Sequence, residues 1–90
     1  MKIKEGFILR KICGESVVVG EGLAQVNFNK MLSLNESAAY LWESVAGKDA
    51  FTQEDLVQLL LDKYEVTAET ARADVAALVE TWISQGVAEA

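Results

Sequence analysis

Fourteen carboxylates, eight cations, one thiol and no histidine are the groups with which this 90-residue chain could do chemistry. Without histidine it lacks the side chain most often used as a general base near neutral pH and as a metal ligand. Cys13 stands alone, so it can build neither a Cys-rich zinc site nor an internal disulfide. A catalytic reading would single out Glu54, Asp55 and Asp74. Asp74 lies between Ala73 and Val75 with no lysine close in sequence, and it reads as a solvated or hydrogen-bonded flank. Glu54 and Asp55 follow Thr52, and they read as the acidic first turn of a helix. Raising a carboxylate pKa for acid–base work takes a deep pocket, which so short a chain rarely encloses. Gly14, Gly20 and Gly22 lack the following lysine or helix of a phosphate-binding turn. The expectation is therefore a binding module rather than an enzyme, with no catalytic residue, metal or cofactor.

Ninety residues that are 51% apolar make one domain with one core, expected to span residues 1–90. Neither a membrane-spanning run nor a signal-peptide pattern is present, and with a lone cysteine the expected setting is cytoplasmic. Charge divides unevenly. Residues 1–34 carry five cations and three acids, a net of +2, whereas residues 35–90 carry three cations and eleven acids, a net of −8.

Strand formers fill Phe7 to Cys13 and again Ser16 to Val19, predicting a hairpin that turns near Gly14–Glu15. Gly20, Glu21 and Gly22 break the second strand. Val26, Phe28, Leu32 and Leu34 then share parity, with a turn or bulge at Asn29–Lys30. A third short strand is expected over Lys30 to Leu34, Leu32 and Leu34 facing inward and Met31 and Ser33 outward. Asn35 is an N-cap candidate for a first helix, whose stripe is Ala38, Leu41, Trp42 and Val45, with a C-cap at Gly47. Thr52 opens a second helix with Leu56, Val57, Leu60, Leu61 and Tyr64 on its buried face. Thr67 opens a third, in which Ala71, Val75, Leu78, Val79, Trp82 and Ile83 repeat at the same period before Gly86. Val87–Ala88 adds a last extended pair. The class is α+β: three short N-terminal strands followed by a three-helix bundle.

That order resembles the coenzyme PQQ synthesis protein D (PqqD-like) family. The likeness is carried by Leu9 to Glu15, by Leu32 to Ala39, by Leu41–Trp42 with Gly47 and the Thr52-to-Tyr64 helix, and by Asp74–Val75 ahead of Gly86–Val87. It implies a winged-helix-like domain that binds the leader of a ribosomally made precursor peptide. Such a domain presents the leader to a modifying enzyme, commonly a radical S-adenosylmethionine protein. It also implies where the leader sits: added as a strand along Lys30, Met31, Leu32, Ser33 and Leu34. Arg72 and the positions around Val79 would offer contacts from the last helix. An exposed edge supplies unpaired N–H and C=O groups to a peptide whatever its side chains. The likeness speaks for peptide recognition more than for PQQ as the product.

Three alternatives share the same features. Helices at 52–64 and 68–85 are also compatible with a DNA-binding winged helix. The second would carry Glu69, Asp74 and Glu80 against Arg72, a net of −2 that repels phosphate. Nucleic acid is accordingly not an expected partner, and neither is a membrane. A scaffold subunit could bind a folded partner through the same edge, and the edge could equally pair two copies in a homodimer.

Overall fold

Runs of strand-forming residues over the first twenty positions, broken by glycines, produce the first strands. The computed structural model describes residues 1–28 and 31–90, and in it β1 is Lys2–Ile3, β2 is Phe7–Ile12 and β3 is Glu15–Gly20. β2 and β3 pair antiparallel with Ile12 opposite Glu15, so Cys13 and Gly14 alone make the turn, one residue earlier than expected. Both have positive φ, 53° and 81°. Two such residues form the type I′ loop, whose twist matches that of the flanking strands.

A five-residue helix, α1 (Leu23–Asn27), follows where the sequence suggested only a break and extended backbone. One turn is too short to show a helical period. Two glycines admit it. A Cβ on Gly20 would lie 2.7 Å from the Ala24 carbonyl oxygen, and one on Gly6 would lie 2.8 Å from the Ala24 Cβ. α1 can therefore rest against the end of the sheet, and Phe28 beyond it packs edge-on against Phe7 at 5.2 Å.

Leu32–Leu34 forms β4, antiparallel to β3 with Ser16 opposite Leu34 and Val18 opposite Leu32. The expected third strand is thus present over three residues. Met31 precedes it, and Lys30 lies outside the described residues. Side chains alternate as the pleat demands: Leu34 is buried, Leu32 half-buried, and Ser33 exposed.

Helices α2 (Glu36–Val45), α3 (Gln53–Lys63) and α4 (Ala68–Ser84) begin at caps legible in the sequence. The Asn35 side chain accepts from the Ala38 N–H at 2.8 Å. Thr52 and Asp55 exchange hydrogen bonds in a capping box, and Thr67 accepts from the Thr70 N–H. Each cap satisfies donors that the helix start would otherwise leave unpaired. The core joins the inner face of the sheet to the helix stripes. At its centre Trp42 and Trp82, both almost fully buried, meet edge to face at 5.3 Å, with Phe51 beside Trp82. Aromatic pairs favour this geometry because it sets the positive ring edge on the negative face. Ile83, expected on the α4 stripe, is 41% exposed: it flanks the core-facing side of the helix instead of joining it.

β5 (Ala88–Glu89) pairs with β1 in a separate two-stranded ladder. Val87, expected to be part of the last strand, is fully buried in the core, and the strand begins at Ala88. Among the described residues no helix is long and apolar enough to cross a membrane.

Candidate functional site

The three-stranded sheet runs in the order β2–β3–β4, so among the described residues β2 and β4 each have one side without a strand partner. An antiparallel edge leaves the N–H and C=O of every second residue pointing outward. The two edges differ chemically. β2 carries the exposed cations Arg10 and Lys11, the kind of residue that blunts an edge against pairing. The described stretch of the β4 edge, Met31 to Leu34, bears no charge and has a 63% exposed Met31 at its entrance. It is the edge that invites an added strand.

Beyond β4 the chain passes into α2, and the start of α2 faces α4 across a groove. A cavity of about 310 Å³ there is lined by Asn35, Ser37 and Leu41 on one side and by Asp74, Leu78 and Thr81 on the other. A second cavity, of about 370 Å³, adjoins it through Asn35, Ser37, Leu60 and Asp74, and reaches Glu36, Tyr64 and Val66. The walls are apolar below and polar at the rim, the pattern of a surface that receives side chains. A larger cleft, of about 660 Å³, opens at the hairpin end of the sheet, between Lys11, Glu15 and Ser33 on one wall and Tyr40, Glu43 and Lys63 on the other. Charges of both signs line that cleft, and the Lys63 ammonium sits 4.4 Å from the centre of the Tyr40 ring.

Of the residues expected at the site, Met31, Leu32, Ser33 and Leu34 lie together at the β4 edge, and Lys30 is outside the described residues. The two α4 positions are not with them. Val79 is only 3% exposed and packs in the core. Arg72 lies on the flank of α4 that faces the start of α3, where its guanidinium is 3.8 Å from Glu54. At 100° per residue, Asp74, Leu78 and Thr81 project from the opposite flank, the one that borders the α2 groove. Helical phase could have found them: Val75, Val79 and Trp82 fix the buried direction, and each flank follows from it. What the sequence did not tell is which flank turns towards β4.

The chemistry on offer is recognition. Among the described residues no group of three or more His, Cys, Asp or Glu side chains is placed to hold a metal ion. The outward positions of α4 include Glu69, Asp74 and Glu80, a surface that repels phosphate.

The family model of coenzyme PQQ synthesis protein D (PqqD) matches residues 15–88. No curated relative matches the chain. Two solved structures share the fold over almost the whole chain. One, TbiB1 in complex with the TbiA(beta) leader peptide, is 16% identical with a TM-score of 0.72, covering 97% of this chain and 93% of that one. The other, lasso peptide synthetase B1 complexed with the leader peptide, is 22% identical with a TM-score of 0.72, covering 99% and 96%.

Proposed function

The chain belongs to the coenzyme PQQ synthesis protein D family, and from that premise we propose that it binds the leader segment of a ribosomally made precursor peptide. The leader adds as a strand to β4 and sends side chains into the groove between the start of α2 and α4. The single observation that carries this reading is the uncharged, unpaired β4 edge, which runs up to Asn35 at the mouth of an apolar-floored groove. Main-chain hydrogen bonds then supply sequence-independent affinity, and the groove supplies selection. The likeness in fold to two proteins solved with leader peptides supports it. The chain takes no part in bond-making; it presents the leader to a modifying enzyme, of which the radical S-adenosylmethionine class is the one the family points to. A leader disordered in solution gives up conformational freedom on binding, which places the affinity on the order of micromolar.

Calorimetric titration of the protein with leader segments from short reading frames encoded beside it tests the proposal. Each peptide is compared with two copies N-methylated at alternate residues, one in each phase, so that one copy loses the donors that face β4 while the protein is left untouched. The expected result is saturable binding by one leader and its loss in the copy with the matching methylation phase. Equal binding by both methylation phases would remove strand addition; no binding by any leader would remove the peptide role.

A further inference from the structure

The register of the sheet fixes which main-chain groups the β4 edge presents. Cys13 and Gly14 alone close the β2–β3 hairpin, so Ile12 and Glu15 exchange both their hydrogen bonds across it. Bonded pairs then alternate with unbonded ones. The N–H and C=O of Glu15, Val17 and Val19 turn towards β2, and those of Ser16 and Val18 turn towards β4. Ser16 pairs with Leu34 and Val18 with Leu32, so those two leucines direct their groups into the sheet. Ser33, opposite Val17, directs both of its groups outward. Asn35 does not prolong the run: its carbonyl accepts from the Ala39 N–H at 2.9 Å, and its side chain caps α2. Side chains alternate in the same step. Ser33 lies exposed on the outer face, whereas Leu32 and Leu34 face the core. In the row Leu9–Val18–Leu32, Val18 is fully buried and Leu32, at the rim, is only half-covered.

We propose that the bound peptide runs antiparallel to β4 and docks one residue, its anchor, on Ser33 through both main-chain groups. The residue after the anchor then stands opposite Leu32 and lays an apolar side chain on it. Direction follows from the cost of order. An antiparallel strand makes both bonds to Ser33 with a single residue, whereas a parallel one must fix three residues for the same two bonds. Phase follows from the pleat. The anchor shares the outer face with Ser33, so its own side chain stays away from the core, and its neighbours turn inward. The residue held by its main chain is therefore not the residue whose side chain is selected. Had Leu32 directed its groups outward, the two would coincide. The inference rests on the peptide-binding reading and adds to it a direction, a register and a specificity determinant, Leu32.

Panning a phage-displayed library of random dodecapeptides against the full chain supplies probes independent of any known leader. Each enriched peptide is N-methylated one residue at a time and, separately, replaced by alanine one residue at a time. Binding is measured by fluorescence anisotropy. N-methylation is expected to lower affinity about tenfold at the anchor and barely at its two neighbours. Alanine is expected to weaken binding at the residue after the anchor and barely at the anchor itself. Leu32→Ala weakens binding about two- to fivefold, and that loss vanishes when the residue after the anchor is alanine. Ser33→Pro removes the outward donor without touching a β3–β4 bond, a place where an edge strand tolerates proline. It is expected to stay folded by circular dichroism and to weaken binding about tenfold. Lys11→Pro, which removes an outward donor from β2, leaves binding unchanged. The peptide scans leave the protein untouched, so they decide the matter even where a proline variant does not fold. Methylation and alanine losses falling on the same residue, coupling of Leu32 to the anchor, or full binding by folded Ser33→Pro would overturn the register and leave strand addition standing. Peptides indifferent to N-methylation at every position would overturn strand addition itself.

Discussion

Cys13 shows how one residue can be legible in type and misread in role. Its neighbours are strand formers, so it reads as the end of a strand, yet it occupies the left-handed region at φ 53° in the two-residue hairpin loop. A side chain there crowds the following carbonyl, and asparagine tolerates the conformation better than cysteine does. Cys13→Asn is therefore expected to stabilise the domain by about 0.5–1 kcal/mol, raising the thermal midpoint by a few degrees. Differential scanning calorimetry under reducing conditions checks it; an unchanged or lower midpoint would show that the turn carries no strain. Asp74 and Val79 make the complementary case. Both residue types are plain in the sequence, but only the packing direction of α4 puts one in the groove and the other in the core.

At the scale of elements, what was legible was what is local. Asn35, Thr52 and Thr67 mark helix starts because a cap is a contact between residues three apart in sequence, and all three accept the expected hydrogen bonds. The β2–β3 hairpin is equally local. The position of α1 is not, because it depends on Gly6 and Gly20 both approaching Ala24, and on Phe28 reaching Phe7 across more than twenty residues. Gly20→Ala should therefore destabilise the fold by about 1–3 kcal/mol, since its Cβ would press on backbone rather than on a flexible side chain. Gly14→Ala serves as the contrast. Its Cβ would meet nothing within 4 Å, so its cost is confined to the left-handed turn. Urea titrations of the two variants separate a steric cause from a conformational one, and a Gly20→Ala midpoint equal to wild type would show that α1 moves away freely.

For the whole molecule, order and charge carry the meaning. Strands first and helices after them leave β4 both at the edge of the sheet and directly ahead of α2, so the edge ends at Asn35, which also lines the groove that α2 and α4 share. The net negative charge of the helical half disfavours nucleic acid. Overall architecture was readable because runs of strand formers end at glycines and the helix period persists long enough to register; the site's helical wall was not, because nothing local reports how a helix turns towards a distant edge. Amide hydrogen exchange of the full chain, with and without a bound leader peptide, tests the central claim most directly. Strand addition at β4 predicts slowed exchange at two places, the Met31–Leu34 edge and the Asp74–Thr81 stretch of α4, with β2 unchanged. Slowing confined to Phe7–Ile12, or to the Lys11–Lys63 cleft, would contradict it.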